Sequence, residues 1–367
     1  MILGEKGRSC IMGYIRTLFL AIVGGWLFSY INAPLPWTLG PIVLVSLVGL
    51  VQKHPMVWSI KIRNVALVLL GYAMGRPFTI ETLQAIAAQL PLMLLATFVT
   101  VSAGIFTGWL MYKKTAINFT TCLLGCVPGG LSQMVVLAAE MKNVDLTAVT
   151  IMQTLRMLSV VFSVPFLTIH ILSDGPVTAG AGMDFATTAD MSSVLMWAAV
   201  AVLGAIVGKW IHLPTATMLG PILAVAAVVI MTDWTAVPVP QPLLYAAQLC
   251  VGAFIGSSIE LQRIVSYQGM GPVLLGGVLL VLSVSMGMGV MVSALTGETF
   301  ATSFLSTAPG GLTEMGITAL TVGANISTMT AYQLTRLLFI MLIFPYVAKG
   351  VVALYERKYG GHDKDDA

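Results

Sequence analysis

Charge is the scarcest ingredient of this chain. Asp, Glu, Lys and Arg make up 9% of its 367 residues, against roughly 25% in an ordinary soluble protein. A soluble chain of that length would lack the polar side chains to cover its surface. The net charge of +3 is too small to suggest nucleic-acid binding. Histidine is sparse too: His54, His170, His212 and His362 are scattered and form no metal-ligand spacing. The four cysteines, Cys10, Cys122, Cys126 and Cys250, lie in or near apolar sequence. Cys122 and Cys126 are one helical turn apart, but no His, Asp or Glu stands beside them. They read as packing residues, so no metal site is expected. A phosphate-binding loop is missing, which leaves ATP-driven pumping by this chain unsupported. Nucleophile-elbow and zinc-protease motifs are missing as well, so neither an enzyme nor a resident cofactor is expected.

What is present is apolar. Ala, Val, Ile, Leu, Met, Phe, Trp, Tyr and Cys account for 57% of the chain, with a mean hydropathy of +0.93. Such a chain is too apolar for disorder, and its runs do not alternate in polarity as the strands of a membrane barrel do. The expectation is an all-α integral membrane protein. At roughly 25–35 residues per span and loop, about ten to twelve spans use the whole chain and leave no sizeable soluble domain. The first apolar run is long and lacks a small-residue cleavage site, so it reads as a first span.

The chain also repeats itself. Leu39-Gly40-Pro41-Ile42 recurs as Leu219-Gly220-Pro221-Ile222, and Gly71 and Gly75 recur as Gly252 and Gly256. Pro128-Gly129-Gly130-Leu131-Ser132-Gln133-Met134 recurs as Pro309-Gly310-Gly311-Leu312-Thr313-Glu314-Met315. Gln153-Thr154-Leu155-Arg156 recurs as Gln333-Leu334-Thr335-Arg336, and Pro165 as Pro345. All five matches fall in one order at an offset of 180 or 181 residues. The chain therefore divides into two membrane repeats, residues 12–173 and 192–354, joined by a Gly-, Thr- and Asp-rich loop at 173–191.

Apolar runs cover 13–31, 39–52, 64–75, 89–112 and 147–172 in the first half, and 192–211, 219–232, 243–259, 272–296 and 327–349 in the second. Gly/Pro-broken stretches cover 117–142 and 300–322. With five spans and one re-entrant hairpin per half, and the N-terminus inside, fifteen of the eighteen Lys and Arg residues fall on the cytoplasmic side. The acidic joint then lies outside and both termini are cytoplasmic. Five is odd, so the second half is inserted upside down, an inverted repeat as in many secondary transporters. Six spans per half is the alternative. It places the acidic joint inside and Lys142, Lys209 and Arg263 outside.

The two breaks carry the candidate site. Pro128, Gly129 and Gly130, like Pro309, Gly310 and Gly311, are poor helix interior. Backbone groups freed by a break need partners in protein or beside water, so the breaks read either as packing points between helices or as a midplane binding site. The residues that follow, Ser132 and Gln133 in one half and Thr313 and Glu314 in the other, would open a helix whose N-terminus suits an anion. Ser132 and Thr313 would otherwise simply cap or pack those helices. Arg156 and Arg336 each lie deep in an apolar run, where a charge pairs or lines a wet path. Arg grips a carboxylate with two parallel hydrogen bonds. Either the arginines contact an anionic substrate, or they form internal ion pairs with Glu314 as the obvious partner. One carboxylate cannot neutralise both, which leaves a surplus positive charge. Gln153 and Gln333, three residues before each arginine, share its helix face. Glu314 is a candidate for carrying a coupling proton or Na⁺. Asp145 and Asn325 match across the repeat and read as helix N-caps.

The paired Pro-Gly-Gly-Leu-Ser-Gln-Met and Pro-Gly-Gly-Leu-Thr-Glu-Met segments, each followed by Gln-x-x-Arg in a long apolar run, resemble the AbrB family of membrane proteins, and the paired Leu-Gly-Pro motifs fit it as well. The resemblance covers about residues 12–350. It implies a duplicated multi-span membrane protein, unlike the soluble DNA-binding transition-state regulators that share the name. Members have been labelled regulators of gene expression and ammonia monooxygenases, so the resemblance supplies no settled substrate. The second label fits poorly here, because no cluster of metal ligands is present to activate oxygen. The resulting expectation is a secondary transporter in the cytoplasmic membrane, carrying a small organic anion such as a carboxylate or an amino acid. It would be coupled to H⁺ or Na⁺, embedded in lipid, without a nucleic-acid partner, and a homodimer by analogy of architecture. The alternative from another class is a membrane-embedded ligand sensor or regulator without net transport.

Overall fold

The computed structural model describes residues 2–51, 56–129, 134, 137–139, 141, 144–172, 191–213, 215–232, 234–259 and 270–359. Every regular element among the described residues is a helix. In chain order these are α1 (Ile2–Tyr30), α2 (Pro36–Val51), α3 (Ile60–Gly75), α4 (Ile80–Lys114), α5 (Phe119–Cys126), α6 (Leu146–His170) and α7 (Met191–Trp210). They continue as α8 (Ala216–Thr232), α9 (Gln241–Ser258), α10 (Gly271–Thr296), α11 (Phe300–Thr307), α12 (Leu312–Val322), α13 (Ile326–Leu342) and α14 (Phe344–Tyr359).

Local chemistry sets many of the ends. Thr79 and Thr82 form a capping box at the start of α4, and Asn118, Asp145, Thr299 and Asn325 each accept from a backbone N–H in the first turn of α5, α6, α11 and α13. Gly297 and Gly323 end α10 and α12 in the left-handed region, at φ 74° and 65°. Non-glycine residues enter that region at matched places: Asn32 and Leu35 between α1 and α2, and His212 and Thr215 between α7 and α8. The same i to i−5 bond closes both connections, from Ala33 N to Phe28 O at 2.9 Å and from Leu213 N to Gly208 O at 2.8 Å.

Among the described residues, five helices are long and apolar enough to cross a membrane: α1 over Met12–Tyr30, α4, α6, α7 and α10. The bent pair of α13 and α14, at 51°, would make a sixth. The short apolar runs of the sequence remain short as helices. α2 and α3 have 16 residues each, α8 has 17 and α9 has 18. A straight crossing takes about 20.

The helices pack in two sets, and each set draws on both halves of the chain. The first contains α1, α2, α3, α7, α8 and α9, and the second contains α4, α5, α6 and α10 to α14. Contacts within them come in matched pairs: α1 on α2 and α7 on α8, α2 on α9 and α8 on α3, α4 on α5 and α10 on α11, α6 on α10 and α13 on α4. The duplicated motifs are where these pairs touch. A Cβ on Gly40 would lie 2.2 Å from Gly24 O, and one on Gly220 would lie 2.2 Å from Gly204 O. Across the halves, a Cβ on Gly71 would lie 2.5 Å from Met218 O, and one on Gly252 would lie 2.5 Å from Thr38 O. So the Leu-Gly-Pro motif of each half receives the glycines of the other, backbone against backbone.

The two sets meet through α3 against α12 and α13. The seam is apolar, with Leu39, Ile42, Leu70, Met74, Met218 and Ile222 on one side and Leu305, Leu312, Met315 and Ile317 on the other. Gly316 lets α12 approach closely, since a Cβ there would meet Met74 Sδ at 2.4 Å.

Candidate functional site at the paired helix breaks

Each break follows an eight-residue helix, α5 or α11. Helix α5 stops at Val127 and α11 at Ala308, where the backbone turns extended (ψ 135° and 138°) ahead of the proline. A tight turn follows in both, with Gly129 N donating to Val127 O at 2.8 Å and Gly310 N to Ala308 O at 2.9 Å. The last carbonyls of a stopped helix have no intrahelical donor. In the interior of this protein that shortage is met from the next long helix.

Gln153 on α6 donates Nε2 to Leu124 O at 2.7 Å and to Val127 O at 3.0 Å. Gln333 on α13 does the same for Leu305 O at 2.7 Å and Ala308 O at 3.2 Å. The three-residue spacing then brings each arginine onto its glutamine. Arg156 Nη2 donates to Gln153 Oε1 at 2.7 Å and to Gly129 O at 2.9 Å. Arg336 Nη2 donates to Gln333 Oε1 and, at 2.6 Å, to Gly310 O, while its Nη1 donates to Ala308 O. All four side chains are buried. The guanidinium groups thus sit at the negative ends of α5 and α11, where the helix dipole favours a cation.

The two breaks also meet. Arg156 Nη1, from the first half, lies 3.4 Å from Pro309 O of the second. Arg156 Nε is buried and has no partner among the described residues. Glu314, the third residue of α12, is also buried, at 9% exposure. Its carboxylate folds back over Gly311, where a Cβ would lie 2.0 Å from Oε2. Among the described residues no ion pair joins Glu314 to Arg156 or Arg336; the arginines are held by carbonyl oxygens instead. Thr313 Oγ1 reaches Met218 Sδ at 3.2 Å, across the seam between the two sets of helices.

Of the residues singled out from sequence, the structure brings Pro128, Gly129, Gln153, Arg156, Pro309, Gly310, Gln333 and Arg336 into one buried cluster, with Gly311, Thr313 and Glu314 on the stretch that follows the second break. Gly130, Ser132 and Gln133 lie outside the described residues. Met134 is described, and it packs on Gly129 as Met315 packs on Gly310.

Sequence reasoning passed over the hydroxyl face of α11. Thr302, Ser303, Ser306 and Thr307 are all buried, and Thr307 Oγ1 donates to Ser285 O at 2.8 Å. Ser285 Oγ, Ser303 Oγ and Thr330 Oγ1 are buried without a partner among the described residues. At Ser303, Ser306 and Thr307 the first half has Cys122, Gly125 and Cys126, so the second break is the more polar. Four hydroxyls in an eight-residue helix were the available signal. Among the described residues, no three His, Cys, Asp or Glu side chains gather as metal ligands.

The family model described as "Transition state regulatory protein AbrB" matches residues 37–351. YhjN of Bacillus subtilis strain 168, whose name assigns no function, is 26% identical over 352 residues, covering 89% of this chain and 90% of its own. AbrB of Escherichia coli strain K12, named as a candidate regulator, is 27% identical over 349 residues, covering 94% of this chain and 96% of its own. A match over that span of a helical chain with five or six membrane-length helices makes this protein a member of the AbrB family of membrane proteins, distinct from the small DNA-binding protein of that name.

Proposed function

We propose that this protein is a secondary transporter of a small organic anion, a carboxylate or an amino acid, in the cytoplasmic membrane. The observation that carries the proposal is the pair of buried guanidinium groups at abutting helix breaks, with no carboxylate bound to either among the described residues. Among the described residues their positive charge is offset by carbonyl dipoles, and Arg156 Nε has no partner. A buried site of that kind favours an anion. Arg156 then meets the substrate's charge, and Arg336 holds the second break in shape. Thr313 adds a neutral contact beside the second break, and Glu314 carries the coupling H⁺ or Na⁺.

In this reading the short helices complete ten spans in two inverted repeats, the breaks are re-entrant hairpins, and both termini are cytoplasmic, as the basic loops suggest. The largely apolar seam supports movement of the second set of helices against the first, since apolar side chains can slide past one another once the contact of Thr313 Oγ1 with Met218 Sδ is released. A homodimer through the first set would hold it still while the second moves.

The test is a thermal-shift screen of the full chain in detergent against carboxylates, amino acids, amines and neutral sugars, followed by flux into liposomes. A ligand at 100 times its dissociation constant stabilises by about 2.7 kcal/mol. Stabilisation by one class of anion, absent in Arg156→Gln, together with flux of that anion, is the expected result. Stabilisation by amines or sugars alone would sink the anion. The candidate-regulator name of the relative from E. coli favours a second reading, a ligand sensor. Anion binding without flux would establish it.

A further inference from the structure

The outer flank of the first set of helices holds a feature that transport does not use: a groove of about 570 Å³ between α3 and α7, roofed at one end by the Val237–Pro240 loop. Its walls are apolar, with Val68, Tyr72, Trp197 and Ala198 among the lining. Tyr72 and Trp197 form its deep end, their rings 6.4 Å apart. The Tyr72 hydroxyl donates to Val237 O at 2.6 Å, which ties the loop over that end. The opposite end is polar and basic. Asn64 and Lys209 line it, and Arg63, beside Asn64, donates to Asn64 Oδ1 from Nη2 at 2.9 Å. Lys61 stands on the same first turn of α3.

We infer that this groove binds one phospholipid with an anionic headgroup, its acyl chain along α3 and α7 and its phosphate against Lys209 and Asn64. The dimensions match. Asn64 to Tyr72 spans about 12 Å of helix, and Lys209 to Trp197 about 18 Å, at 1.5 Å per residue. One leaflet of a bilayer contributes about 15 Å of hydrocarbon. The charge matches as well: an apolar slot that ends in Lys209 and Asn64 presents a positive charge and an amide donor where a headgroup phosphate would lie, with Arg63 nearby, its guanidinium 4.4 Å over the Phe254 ring. The groove volume lies within the roughly 300–1,000 Å³ typical of small-molecule sites. Lys61, Arg63 and Lys209 sit at the cytoplasmic end under the positive-inside rule, so the lipid belongs to the inner leaflet.

The test uses the full chain, delipidated in mild detergent and titrated with phosphatidylglycerol or with phosphatidylcholine of the same acyl chains, the bound lipid being counted by native mass spectrometry. One phosphatidylglycerol is retained per chain, and phosphatidylcholine binds about fivefold more weakly, the factor expected of roughly one Lys–headgroup attraction. Lys209→Gln, at an exposed position, brings phosphatidylglycerol down to the phosphatidylcholine level. Ala198→Trp, also at an exposed position, fills the slot and removes retention of both lipids while the melting temperature of the lipid-free protein stays at the wild-type value. Equal retention of the two lipids by the wild type overturns the proposal. So does undiminished retention by Ala198→Trp, or a lipid-free dimer whose contact covers Ala198.

Discussion

Arg336 is the residue whose removal should be most instructive. Its guanidinium holds Ala308 O, Gly310 O and Gln333 Oε1 together at the end of α11. In Arg336→Gln the shorter side chain no longer reaches the break. Ala308 O keeps the Gly310 N–H at 2.9 Å and Gln333 Nε2 at 3.2 Å. Gln333 Oε1 loses the arginine donor in a buried place, and Gly310 O in a half-buried one. Each orphaned acceptor costs about 1–3 kcal/mol, so the change should cost about 2–6 kcal/mol. The assay is thermal unfolding of the ligand-free protein in detergent at one scan rate, where that loss reads as a drop of several degrees. Arg336→Lys keeps the charge but offers a point donor in place of a planar fork, and should fall between. Combined with Gln333→Ala, the loss should be less than the sum of the two single losses, because both side chains serve the same carbonyl. An Arg336→Gln protein that melts with the wild type when no ligand is present would refute the idea that the arginine clamps the break.

Two further outcomes are expected. Glu314→Gln should retain anion binding but flatten the dependence of liposome flux on pH or Na⁺; a profile that keeps its wild-type shape would remove Glu314 from the coupling role. Gly71→Val and Gly252→Val should each lower the melting temperature, because a Cβ at 2.5 Å from a backbone carbonyl of the other half forces the helices apart, at about 1–3 kcal/mol for overpacking. Gly276→Ala, with nothing within 4 Å of its Cβ, serves as the silent control in the same melting assay.

Much of the helix inventory was legible in the linear pattern. The apolar runs locate the long helices, and the caps at Asp145 and Asn325 fall where the matched sequence placed them. The spacing Gln-x-x-Arg predicted a shared face, and on both α6 and α13 the arginine bonds the glutamine three residues before it. What those arginines hold was less visible. Sequence offered a substrate or an ion pair with Glu314, because it lists charged side chains and leaves backbone carbonyls unmarked. The hydroxyl face of α11 was missed for a similar reason: Ser and Thr carry no charge, and an eight-residue helix is too short to show a clear period.

By itself, then, the sequence determined that this chain is helical, apolar and duplicated, and which motifs recur, because composition and periodicity are properties of the linear order. Only the tertiary structure decided what the motifs are for. Gly71 serves Met218 of the other half, Gly252 serves Thr38, and Arg156 reaches from its own break to Pro309. These are contacts between residues more than a hundred positions apart, set by how helices of two halves interleave. Such contacts depend on shape and on which backbone groups remain without a donor, and neither is written in any single stretch of chain.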